Sequence, residues 1–558
     1  MISTPIMATS NISDFYLPAI LTLTAILFYK YILHPAIFSP LSKIPTPHWS
    51  CSISPAWILW ARFNGRENRT LRAVHRRYGP IVRVGPNELS VNSVDAVKTI
   101  YQGGFDKHEW YSLFNNYGVP CTFSSAPAKH HSLRKKMVSH VYSKSYIHAS
   151  PSLAAQADLI INSRLLPLLR DSISASQQPH GVDVYSLFCA AAMDFVSAYC
   201  FGARRSADFV RRKHFRDHWL ELYATRKGHG FFAQELPRLS RVLAAVGLDP
   251  TPAWVHAANR ELEAWCKELS DATIRFLEEE EGGKRKSAVN TASDPVVVRA
   301  LLAGIEKEYD TNGTASLLYT TAIQQRNLSI ASEILDHVLA GQETTGVALT
   351  YLSYHLSQSP SLQHDLRSEL LTLSPSPRIG RDGKVQLPDS KQLDSLPLLH
   401  AVIMETVRRY APAGGPEARV TPLPSCRIGP YEVPGGTRVS ASAYNLHRDE
   451  TAFPDPETWD HTRWLPRRRT DSREDDNGND EPKNEKDVYR HFWGFSSGGR
   501  MCLGSNFAMH DMKLLIAAIY ANYTSHIVDA NGIEPTDAYT GRPKSNCLYL
   551  RYERVEEE

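Results

Sequence analysis

The stretch "FSSGGRMCLG", residues 495–504, constrains this chain more than any other. It sets Cys502 among glycines at 498, 499 and 504 and leads directly into a helical pattern, with apolar residues at 508, 512, 515 and 519. Glycines let a backbone adopt φ > 0 and lie close against a large flat partner. A helix N-terminus beside the sulfur offers free N–H groups and positive potential, which favour a thiolate. Arg500 adds a fixed cation suited to an anionic carboxylate. A thiolate ligand, a close backbone and a carboxylate clamp together point to haem with cysteine as its axial ligand. The competing reading is a buried structural thiol, the commonest fate of a free cysteine.

The stretch resembles the haem-binding loop of the cytochrome P450 family, F-x-x-G-x-R-x-C-x-G, at Phe495, Gly498, Arg500, Cys502 and Gly504. The resemblance covers about residues 40 to 550. It implies a mainly α fold with minor β, the cytochrome P450-like haem-thiolate fold. It also implies haem b (iron protoporphyrin IX), with Cys502 as the axial ligand of the iron.

Other motifs bear on the same reading. "ETVR" places Glu405 and Arg408 three apart on one helix face, able to form an ion pair. "ELPR" (235–238) fits the same pattern, but its proline argues against a helical pair. In the family a later arginine completes this pair, which makes Arg463, in "FPDPETWDHTRW", the third member of a structural ion-pair triad. Trp459 and His461 stand where the family often has Phe and Pro. "AGQETTG" (340–346) puts Ala340 and Thr344 on one face of a long helix. The family's oxygen-activating groove looks like this, with Glu343 as the acid and Thr344 as the alcohol that together deliver protons. In "HHSLRKKMVSHVYS", His131 and Lys135 fall where the family grips a haem propionate. Arg134 could take the role of Lys135, and a solvated basic helix face is the plain alternative. Arg419, in "GPEARVTP", stands where a second propionate arginine is expected; "NLHRDE" (445–450) also looks familial but carries no assigned chemistry.

The rest of the chain sets limits. A net charge of +3 over 558 residues is too small to imply a nucleic-acid partner. The eight cysteines contain no CxxC pair, against a disulfide framework or a structural zinc site. Residues 15–33 are apolar except for Lys30 and close to the roughly 20 residues a spanning helix needs. No Lys or Arg precedes the segment and positive charge follows it, so it reads as an uncleaved anchor with the bulk of the chain cytosolic. A buried core helix is the alternative. The expected organisation is a tail (1–14), the transmembrane anchor (15–33), a stiff, extended proline-rich linker (34–50) and one catalytic domain (51–558). Within that domain, 467–487 reads as a mobile polar insertion.

Together these readings imply a haem-thiolate monooxygenase in the endoplasmic reticulum membrane, inserting one atom of O2 into a lipophilic small molecule. Its motifs resemble those of filamentous-fungal members that tailor secondary metabolites. Electrons would come from an NADPH-dependent flavin reductase, docked on a face including Lys135, Lys136 and Arg212. The expected pocket walls are 105–128, 205–255, 334–340 and 411–417, which read as aromatic and apolar with no strong charge cluster. The alternatives are a same-fold enzyme that rearranges or dehydrates its substrate without O2, and a non-catalytic haem sensor or carrier.

Overall fold

A computed structural model describes residues 12–174, 181–282, 291–466 and 485–555. The chain is 61% helical and 10% strand, organised around one 32-residue helix, Arg326–Ser357. No proline interrupts it, and of the apolar or small positions 330, 334, 338, 341, 345, 349, 352 and 356, which recur at steps of three and four, all but the half-buried Gly341 form a buried stripe. Its main partner is the helix Val184–Phe201, apolar enough to cross a membrane but 89% buried. The two approach closely because position 346 is glycine: a Cβ there would lie 2.5 Å from Cys189 Sγ. The helices Lys213–Gly228, Ala253–Glu281, Pro397–Arg409 and Ser505–Tyr520 surround this pair.

A five-stranded sheet flanks the helices, in the order Ile81–Gly85, Glu88–Val91, Arg438–Ser442, Pro416–Val420, Asp106–Lys107. The runs around "GPIVRVGPNELSV" supply its first two strands, paired antiparallel. At the other edge the register sets Lys107 opposite Arg419. A three-stranded sheet and the hairpin Ser425–Ile428/Tyr431–Pro434 complete the β structure.

At the N-terminus the helix Ile12–Phe28 runs on through Tyr29–Phe38 in π-helical form. Tyr16–Phe38 is 23 residues long, has mean hydropathy 1.6 and leaves its apolar window unburied, so it is long and apolar enough to span a bilayer; near its end the Pro35 carbonyl accepts from Arg83 (2.8 Å). The helix therefore extends past residue 33, and the segment after it is not the extended linker expected. Pro35 lies within the helix, and Pro40 opens a 3₁₀ turn at Pro40–Lys43. Proline lacks an N–H but has a helical φ, so it is tolerated at the start of a turn. Most of the tail (1–11) and most of the polar insertion (467–484) lie outside the described residues; Glu485–His491 is helical.

Candidate functional site

The cysteine loop closes on itself before the helix Ser505–Tyr520 begins. Cys502 N–H donates to the Phe495 carbonyl (2.9 Å) and Met501 N–H to that of Gly498 (3.1 Å). Gly498 has φ +72°, and a Cβ there would sit 2.2 Å from the Tyr101 carbonyl oxygen, so no side chain fits. Positions 499 and 504 are open, with nothing within 4 Å of a Cβ. Cys502 is ringed by protein yet exposed, so it faces a cleft inside the fold.

The electrostatics differ from the expectation. Burial pushes the Cys502 thiol up, outweighing the Gly504 N–H and the Lys135 ammonium that act to lower it. The helix end alone does not hold a thiolate here; that takes a cation at the sulfur itself. Arg500, expected to serve a carboxylate, turns to the protein backbone. It donates to the carbonyls of Ser125 (2.8 Å) and Ala126 (2.6 Å).

Arg500 also belongs to a group of basic side chains. Lys107, Arg419, His131 and Arg500 lie within electrostatic reach of one another, with Glu417 among them. Burial and then Arg500 and Lys107 push His131 down to about 3, while burial and Arg419 bring Arg500 down to about 10. Lys107 falls well below the usual lysine range through burial and the positive charge of Arg419 and Arg500. Arg419 keeps its charge against burial because Tyr111 and Glu417 hold it, Glu417 accepting at 3.1 Å. Basic side chains crowded until His131 and Lys107 are driven toward their neutral forms fit an anionic group brought in from outside, which would restore their charge. With a thiol and a loop bare of side chains at 499 and 504, this donor set fits an iron porphyrin with its propionates. Lys107 was missed in the sequence, because only the strand register opposite Arg419 reveals it. Lys135 donates to the carbonyls of Gly499 and Met501, both at 3.0 Å. Arg134 turns away to Ser329 and Thr321.

On the central helix Asp336, Ala340 and Thr344, four residues apart, share one face, and with Leu339 and Gly341 they are the positions between Ser329 and Ser353 that are not fully buried. Thr344 Oγ1 donates to the Ala340 carbonyl (2.8 Å), the back-bond expected of a helical threonine. Glu343 is not free: it is buried and pairs with Lys227 Nζ (2.6 Å), while Tyr223 OH donates to it at 3.1 Å. Both partners come from the helix Lys213–Gly228.

The triad forms. Arg408 donates twice to Glu405 (2.8 Å each), and Arg463 Nε lies 3.5 Å away. Asp460 N–H and Trp464 Nε1 fill the remaining acceptor positions, so the buried carboxylate is fully paired. His447, from the unassigned "NLHRDE", carries this order to the cysteine loop. Trp493 N–H donates to its Nε2 (2.7 Å), so its Nδ1–H donates to the Arg408 carbonyl (2.9 Å). Glu235 of "ELPR" makes no helical pair, as expected. It accepts instead from Arg62, Arg438 and Trp110.

The expected walls are less apolar than they read. Asp336 interrupts the 334–340 run, and Arg226, Lys227 and Lys107 enter from the neighbouring segments. Lys107, the pair Arg226–Lys227 and Asp336 lie about 110 residues or more apart in sequence, so their grouping is not visible until the chain folds.

A family model for cytochrome P450 matches residues 52–548. The chain is 27% identical over 540 residues to cytochrome P450 monooxygenase hkm5 of Aspergillus hancockii, covering 93% of this chain and 91% of that protein. It is 28% identical over 496 residues to cytochrome P450 monooxygenase aflV of Aspergillus parasiticus (88% and 86%). It is also 26% identical over 535 residues to tryptophan 6-hydroxylase fscE of Fusarium equiseti (92% of each). With a haem-thiolate cofactor implied, a small-molecule substrate, and O2 and a redox partner as co-reactants, this chain belongs to the cytochrome P450 family as a monooxygenase.

Proposed function

We propose that residues 51–558 form a haem b monooxygenase domain performing a tailoring step in fungal secondary-metabolite biosynthesis. Cys502 would supply the thiolate ligand, and His131, Lys135, Arg419 and Arg500, joined by Lys107, would hold the propionates. The observation that carries this is the cysteine loop: one thiol on a glycine-opened backbone beside a crowd of basic side chains that has Glu417 as its closest ion-paired acid at 3.1 Å. When bound, the haem supplies oxygen activation, to which thiolate donation contributes. One oxygen atom enters a C–H bond of a largely lipophilic substrate and the other leaves as water. Two electrons from NADPH and two protons, one of them drawn from solvent, balance the step. Glu343 and Thr344 move the protons, the Ala340–Thr344 face keeping the groove narrow.

An NADPH-dependent flavin reductase supplies the electrons, docking on a basic face including Lys135, Lys136 and Arg212. Residues 15–33 anchor the chain once in the endoplasmic reticulum membrane, the catalytic domain cytosolic. Exposed apolar side chains support a membrane location: Trp60, Phe63, Leu239, Val242, Val246 and Leu248. Phe63 meets Phe231 at 5.2 Å, joining the helix Ala56–Phe63 to the segment before Leu239.

The test is Cys502→Ser in the full-length protein. The parent is expected to bind haem and show the reduced carbon-monoxide band of a thiolate haem, and the variant to lose that band. Retention of the band by Cys502→Ser would overturn the assignment.

A further inference from the structure

We propose that Asp336 anchors a protonated amine of the substrate, fixing which carbon is presented to the oxidising centre. This rests on the monooxygenase reading and names a substrate feature for it. Asp336 lies deep in the fold but stays partly exposed, so its carboxylate faces the internal cleft. It shares a helix face with Ala340 and Thr344, at about 6 Å and 12 Å along the axis. Among the described residues it makes no hydrogen bond or ion pair, although other buried acids do. Glu333 accepts from Thr122 N–H (2.7 Å) and pairs with His337 (3.4 Å). Glu343 pairs with Lys227.

The charged and titratable groups facing Asp336 come from five segments. Glu333 and His337 lie on its own helix, Lys107 on the sheet edge, Arg226 on Lys213–Gly228, and Cys502 on the haem loop. Cys121 faces it as well. Neither cation has closed on it. Arg226 donates to Asn116 Oδ1 (2.9 Å), and Lys107 donates to the Phe123 carbonyl. Lys107 also belongs to the cation group that fits the propionates. A buried carboxylate with room in front of it and no partner favours a cation supplied by the ligand. Burial and then Glu333 push its carboxyl up to about 7. A bound ammonium would draw that value down, so amine affinity rises with pH through about 7 until the amine itself deprotonates.

The experiment uses full-length holoenzyme in nanodiscs, with binding measured calorimetrically. The probes are N,N-dimethyl-3-phenylpropan-1-amine and its carbon isostere, (4-methylpentyl)benzene. The parent is expected to bind the amine tighter by about tenfold or more, the scale of a charge-assisted hydrogen bond. Asp336→Asn is expected to abolish that preference and its pH dependence while leaving the isostere unaffected. Equal binding of both probes by the parent would overturn the proposal, as would an undiminished preference in Asp336→Asn. Should the variant fail to load haem, the parent decides alone: an amine preference unchanged between pH 6 and 8 overturns it. The carbon-monoxide band is recorded on the same samples. Its absence would sink the monooxygenase reading, separately from a failed amine preference in a protein that has the band.

Discussion

Replacing Glu405 by Gln tests whether the triad holds the scaffold beneath the cysteine loop. The carboxylate is fully buried and takes two bonds from Arg408, one from Asp460 N–H and one from Trp464 Nε1, with Arg463 3.5 Å away. Gln keeps the shape but removes the charge facing two arginines. It also aims an NH2 donor at a site whose partners are all donors. Removing one partner of a buried ion pair typically costs about 3–5 kcal/mol, because the other charge is left uncompensated. That is a large share of a net stability of about 5–15 kcal/mol. Arg408 also donates to the carbonyls of His447 and Pro456, and His447 accepts from Trp493 N–H, two residues before Phe495. The loss should therefore spread to the cysteine loop and weaken haem retention. Urea unfolding followed by far-ultraviolet circular dichroism gives the stability, and Soret absorbance per protein gives the haem content. Glu405→Asp, which keeps the charge on a shorter stem, should lose less of both. A Glu405→Gln protein within about 1 kcal/mol of the parent and fully loaded with haem would refute the reasoning.

Two further outcomes follow from the ion pairs. Lys227→Met should lower stability by about 2–3 kcal/mol, since Glu343 is then buried with Tyr223 as its remaining partner. The double variant Lys227→Met/Glu343→Gln should recover most of that loss; simple additivity in chemical denaturation would count against the pair. Glu88, facing Arg438 and Arg62, is held down at about 2 against its own burial. A depressed carboxylate contributes stability above its unfolded value near 4.5 and loses it as pH falls through 2, at most about 3 kcal/mol. Unfolding measured from pH 6 to 2 should therefore be less acid-sensitive in Glu88→Gln, and parallel curves would refute the assignment.

What the sequence revealed divides by distance along the chain. The loop 495–504, the pair Glu405–Arg408 and the Ala340–Thr344 face are local patterns. Loop closure or helical spacing fixes each one, and all three take the expected geometry. The central helix was legible for the same reason, its buried stripe recurring every three or four residues without a proline. Partners set by the tertiary fold were not legible. Lys107 joins Arg419 because a two-residue strand adds to the sheet edge at one register, and two residues carry too little periodicity to announce a strand. Glu343 looked like a free acid because its partner Lys227 lies 116 residues earlier, on another helix. Asp336 shows the same limit from the other side. Within "ILDHVLA" it is one acid among apolar neighbours and reads as part of an apolar wall. Only the folded chain shows that one turn before Ala340 is a cleft-facing position, and that the nearby cations are engaged elsewhere. The motifs thus identify the oxidising machinery because its geometry is local, while selectivity rests on charges that meet only when distant segments pack together.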